Sequence, residues 1–76
     1  MIKFRIFLRD MRDFYRFTTI ASSLRGKVLI SDGKDYRVDG KSLMGVLYCG
    51  TFEEMWCEVE NSSDYKTLSE FGANQQ

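Results

Sequence analysis

The sequence predicts an α+β domain. Its elements run β-α-β-β-α-β-α and form an open-faced two-layer β-sandwich, with a four-stranded antiparallel sheet and three helices on one face. Three observations predict this. Residues 1–8 and 55–60 alternate apolar and polar side chains with period two, the mark of a strand covered on one side. Phe14, Phe17, Ile20, Ala21 and Leu24 recur at helical spacing between them. Asp32-Gly33 joins two short runs rich in strand formers, which reads as a hairpin.

The elements follow in order. In the first strand Ile2, Phe4, Ile6 and Leu8 point inward, and Lys3, Arg5, Phe7 and Arg9 point outward. Asp10 is placed to cap a helix, and Asp13 adds a carboxylate to its first turn, where the helix dipole favours negative charge. That helix spans 11–24 and stops at Gly26. A second strand covers 27–31 with Val28 and Ile30 inward, and the hairpin returns through Tyr36-Arg37-Val38. Gly40 turns the chain and Ser42 caps a short apolar helix carrying Leu43, Met44, Val46 and Leu47, with Gly50 as its stop. The last strand puts Met55, Cys57 and Val59 inward and Trp56, Glu58 and Glu60 outward. Asn61-Ser62-Ser63-Asp64 offers caps for a final helix marked by Tyr65, Leu68 and Phe71 and ended by Gly72. Residues 73–76 read as a frayed tail.

Antiparallel pairing of the first and last strands in one register brings Lys3 opposite Glu60, Arg5 opposite Glu58 and Phe7 opposite Trp56. Two charge pairs and one aromatic pair follow from that alignment, each contributing roughly 0.2–1 kcal/mol.

Length and composition set the bounds. Seventy-six residues make a single domain, 1–76. With 43% hydrophobic residues, six Phe, four Tyr and one Trp, the chain is globular. No apolar run approaches the roughly 18 residues of a membrane span. The start, Met1-Ile2-Lys3-Phe4-Arg5, interleaves charge and is unlike a signal peptide. Cys49 and Cys57 are too few for a disulfide framework and read as reduced core thiols of a cytoplasmic protein; a lone disulfide between them is possible but not needed.

The net charge of zero hides an asymmetry. Residues 1–41 hold ten Lys/Arg against five Asp/Glu, and residues 42–76 hold only Lys66 against six Asp/Glu. Either the two halves pair across the fold, or the first half makes a basic face for an acidic partner. The chain is not basic overall and carries no basic–aromatic recognition motif, which argues against nucleic acid. It has no histidine, no cluster spaced for a metal, no glycine-rich phosphate loop, and no Ser or Cys with a base beside it. The expectation is a protein that is not an enzyme and uses no cofactor or metal.

With this element order, Asp39-Gly40-Lys41-Ser42-Leu43-Met44-Gly45-Val46 resembles the HPr family, the small phosphocarriers of the bacterial sugar phosphotransferase system. The match to that family's K-S-I-M-G segment is the specific part, and the resemblance spans about residues 2–71. It implies the HPr-like fold. HPr proteins carry phosphate on a histidine at the start of the first helix, in an H-A-R-P motif. Here Asp10-Met11-Arg12-Asp13 falls on that motif and only Arg12 matches. Without an imidazole the histidine relay has no acceptor, so the chain resembles a degenerate member of the family. Ser42 falls on the serine that a dedicated kinase phosphorylates in HPr proteins of Gram-positive bacteria. The resemblance therefore implies regulatory phosphorylation at Ser42, with Lys41 beside it, and a protein-docking surface on Leu43, Met44 and Leu47. Arg12 and Arg16, one helical turn apart, would add positive charge to that surface. The partners implied are proteins of sugar uptake or carbon regulation. The alternative is an oligomer subunit, or a degenerate domain of unrelated role, that uses the uncovered sheet face through Phe7, Trp56, Leu29 or Tyr36. The chain is expected to be a monomer or a weak homo-oligomer.

Overall fold

Period-two alternation at the amino end produces β1 (Ile2–Ile6), in which Ile2, Phe4 and Ile6 share one face. The computed structural model describes residues 1–73. After β1 come α1 (Met11–Ser22), β2 (Val28–Ser31), β3 (Arg37–Asp39), α2 (Leu43–Cys49), β4 (Met55–Val59) and α3 (Ser62–Leu68), then a 3-10 turn at Ser69–Phe71. This is the expected order and fold class. The sheet runs β1-β4-β2-β3, with all three neighbouring pairs antiparallel.

The core lies between the sheet and the helices. Val28 and Ile30 of β2 and Met55, Cys57 and Val59 of β4 meet Phe17 and Ala21 of α1, Val46 and Cys49 of α2, and Leu68 and Phe71. Phe17 and Phe71 meet edge to face with ring centroids 5.3 Å apart. Burying each such large side chain stabilises the fold by about 1.5–3 kcal/mol.

Side-chain caps fix where the helices begin. The Asp10 carboxylate accepts the Asp13 amide at 3.1 Å, and the Asp13 carboxylate accepts the Arg9 amide at 2.9 Å. That bond from the Arg9 N–H holds the Asp13 carboxyl below the usual carboxylate range. Asn61 accepts the Asp64 amide at 2.8 Å and opens α3. The hairpin turns at Gly33, whose φ of +83° suits glycine, and the Asp32 carboxylate closes the turn by accepting the amides of Lys34 and Tyr36.

The register of β1 on β4 differs from the expected one by two residues. Lys3 stands opposite Glu58 and Arg5 opposite Trp56; the pairings Lys3–Glu60, Arg5–Glu58 and Phe7–Trp56 do not form. A slip of two keeps every side chain on its face, so the alternation cannot distinguish the two registers. β1 also ends at Ile6. Beyond it the Phe7 amide donates to the Phe71 carbonyl at 2.8 Å, and the Ala73 amide donates to Arg5 at 3.0 Å. The segment after the 3-10 turn thus covers the outer edge of β1, and Ala73 is paired backbone rather than part of a tail. Residues 74–76, the rest of the expected tail, lie outside the described residues.

Other boundaries moved less. α1 ends at Ser22, not near Leu24, because Ser23 folds back and both its amide and its hydroxyl donate to the Ile20 carbonyl. Gly50 closes α2 with an ordinary helical φ of −62°, so it is not a left-handed stop.

The two halves of the chain do pair. Among the described residues, Arg16 with Glu70 and Arg37 with Glu58 join the basic half to the acidic half, and Arg9 with Asp13 is local. No helix among these residues is long and apolar enough to cross a membrane.

Candidate functional site

The entrance to α2 is built by a chain of short-range bonds. The Gly40 amide donates to the Val28 carbonyl at 2.6 Å, which pins the turn after β3 onto β2. A Cβ on residue 40 would lie 2.7 Å from Val28 Cγ1, so only glycine permits this approach. Asp39 accepts the Lys41 amide through its carboxylate at 2.9 Å and the Ser42 amide through its carbonyl at 3.1 Å. Ser42 then has extended backbone, with φ −100° and ψ 114°, and its hydroxyl accepts the Gly45 amide at 3.3 Å while its carbonyl accepts that of Val46 at 3.0 Å. Ser42 is therefore the N-cap, and it is exposed.

Along α2, Val46 and Cys49 face the core and Leu43 and Leu47 are half-buried. Met44 is 80% exposed. Of the apolar residues that the sequence places on this helix, Met44 is thus the one fully offered to solvent beside Ser42.

Lys41 is placed differently from the sequence reading. Its backbone adjoins Ser42, but its ammonium donates to the Leu24 carbonyl at 2.6 Å. Its charge is spent on tying the end of the α1 segment to the start of α2. Arg12 and Arg16 are not brought to Ser42 either. Ser22 donates to the Lys41 carbonyl at 3.4 Å at one end of the helix pair, while Phe14 lies against Gly50 at the other. The start of α1, which carries Arg12, is therefore beside the end of α2. Arg16 turns to Glu70 and the Phe71 ring. Arg12 is exposed, with no ion pair among the described residues.

Both cysteines are buried free thiols. Burial pushes Cys49 up to about 11 and Cys57 up to about 12, so neither is a thiolate near neutrality.

On the far face of the sheet the polar groups largely satisfy one another. Glu58 is only 6% exposed; its carboxylate accepts from the Ser31 hydroxyl at 3.4 Å and from Arg37 Nε at 3.3 Å. Trp56 covers Gly33, and its indole N–H donates to Glu54 at 3.0 Å. Lys3 places its ammonium 5.4 Å from the Trp56 ring centroid. Phe7 remains exposed at the edge. Tyr36 does not belong to this face: its ring packs on Tyr48 of α2 and on Phe52. Sequence reasoning missed that three-ring cluster, because residues 36, 48 and 52 share no local pattern and only the fold joins them.

No protein-family profile matches the chain, and no curated protein matches it. Among solved structures it is similar to the crystal structure of HPr-C-His from Thermoanaerobacter tengcongensis, with a TM-score of 0.74 and 19% identity over 92% of this chain and 89% of that one. At that identity the likeness speaks to architecture: the chain has the HPr-like fold.

Proposed function

We propose that this chain is an HPr-related regulatory or protein-binding module that does not carry phosphate on histidine. Its contact surface is the entrance of α2, with Ser42 as a phosphorylation site and Met44, Leu43 and Leu47 as apolar contacts. The observation that carries the reading is the pairing of an HPr-like fold with an exposed Ser42 cap next to an exposed Met44. The chain has no histidine, so a surviving role rests on contact and modification rather than on a phosphoryl relay. Phosphorylation of Ser42 adds about −1.5 to −2 charge beside an apolar patch, which changes what that patch binds.

Lys41 supports this surface by holding α2 in place. Arg12 contributes at the opposite end of the helix pair, and Arg16 contributes less because Glu70 already engages it. The partners on this reading are proteins of sugar uptake or carbon regulation in a bacterial cytoplasm, and the chain acts as a monomer or weak homo-oligomer without a cofactor.

The test is binding of the purified chain to an HPr serine kinase, compared with Met44→Asp. Met44 makes little of the core, so the variant keeps the fold. A loss of about tenfold or more in affinity, in the range of a hot-spot residue, supports the surface. Unchanged affinity removes α2 from the reading.

A further inference from the structure

The geometry points to a second docking surface, on which the Tyr36–Tyr48–Phe52 cluster and the acidic groove beside it hold a basic peptide segment of a partner protein. The three rings are in mutual contact, with centroids 5.5, 5.6 and 5.7 Å apart and interplanar angles of 57°, 89° and 79°. These separations leave no space between the rings, so a ligand lies on the cluster and not inside it. Tyr48 is 55% exposed and Tyr36 44% exposed. Contiguous exposed aromatic surface of this kind marks interaction sites.

Charge identifies the occupant. A groove of about 240 Å³ borders the cluster and is lined by Phe52, Asp32, Glu53, Glu54 and Lys34. Three carboxylates face one ammonium. Glu53 has no hydrogen bond or ion pair among the described residues. The Lys34 and Tyr36 amides bond to the Asp32 carboxylate and hold it below the usual carboxylate range, so it adds negative charge to the groove. A Lys or Arg side chain entering the groove meets carboxylates and, at its rim, aromatic faces that attract cations, while an apolar neighbour rests on the rings. Anionic partners such as nucleic acid or phospholipid headgroups are repelled. A two-fold contact centred on this groove would set its carboxylates against one another, which disfavours that arrangement of a second copy.

The cluster gathers at the end of α2 away from Ser42, and the variants that test it, at Tyr48 and Glu53, leave the Ser42 cap in place. The probe is an acetylated, amidated ten-residue peptide with Lys-Leu pairs in a Gly-Ser background; the control replaces Lys with Glu. Trp56, the single tryptophan, is bonded to Glu54 in the groove wall and reports occupancy by fluorescence. A saturable emission change with the Lys peptide is expected, weakened about fivefold or more by Tyr48→Ala and, independently, by Glu53→Gln, and weakened by added salt. The proposal is overturned by no saturable change up to about millimolar peptide, by an equal response to the Glu control, or by affinity unaltered in both variants. A sedimentation coefficient that rises with protein concentration and is restored to the monomer value by Glu53→Gln also overturns it, in favour of a second copy.

Discussion

The Lys41 ammonium donates a 2.6 Å hydrogen bond to the Leu24 carbonyl and ties the entrance of α2 to the segment leaving α1. A carbonyl past the end of a helix needs a donor, and a charged donor makes a stronger bond than a neutral one. Lys41→Met keeps the aliphatic stem and removes the donor. It is expected to cost about 1–2 kcal/mol in urea unfolding, with the slope of the transition unchanged. A cost near zero would show that water replaces the ammonium fully.

Gly40 offers a sharper test of the same junction. A Cβ there would meet Val28 Cγ1 at 2.7 Å and the Val28 carbonyl oxygen at 3.0 Å, and the carbonyl belongs to a paired strand. Gly40→Ala is expected to destabilise by about 1–3 kcal/mol, the scale of overpacking. The backbone angles at this glycine lie outside the left-handed region, so the cost comes from the close approach of two chains. Stability equal to that of the parent would mean that the turn moves away from β2 at no cost.

How far the sequence could be read divides along the range of the interactions. The strand faces were legible, since Ile2, Phe4 and Ile6, and Met55, Cys57 and Val59, alternate with the pleat. The caps Asp10 and Ser42 were legible too, because each acts on an amide three residues away, whereas the run 61–64 offered four candidates of which the structure uses Asn61. The register of β1 on β4 was not, because a slip of two leaves all faces unchanged and the pairing of Phe7 with Phe71 is distant in sequence. The end of α1 falls short of the sequence expectation because Ser23 donates back to Ile20, a bond that competes with continuing the helix. At the candidate site, Ser42 and the apolar residues after it were readable from their spacing. The destinations of the Lys41 and Arg16 charges, and the meeting of Tyr36 with Tyr48 and Phe52, depend on the tertiary fold.

Glu58 lies almost wholly buried beside Arg37, whose side chain is 47% exposed. Arg37→Met leaves the carboxylate with only the Ser31 hydroxyl and is expected to cost about 1–2 kcal/mol, less than in a fully buried pair because water screens the guanidinium. In a double-mutant cycle with Glu58→Gln the coupling should be about 1 kcal/mol or less. A coupling of zero would assign the burial of Glu58 to packing alone.

The thiols give a pH dependence. Cys49 and Cys57 are raised in the folded chain by burial, to about 11 and about 12. A raised folded value means that the unfolded chain loses these protons first. Their contribution to stability is therefore full below the usual thiol range and falls as pH climbs from there toward 11 and 12. Cys49→Ser, Cys57→Ser protein should lose less stability than the parent between about pH 8.5 and 11. Near pH 8, native protein should react with a thiol reagent far more slowly than denatured protein. Fast labelling of the native state would show an accessible thiolate and reopen cysteine chemistry.

The central claim concerns Ser42, and the most direct measurement is intact mass after incubation with an HPr serine kinase and ATP, with Ser42→Ala beside it. The account predicts one added phosphate on the parent chain and none on the variant. No added phosphate, or an equal gain on both, would contradict it and leave Ser42 as the cap of α2.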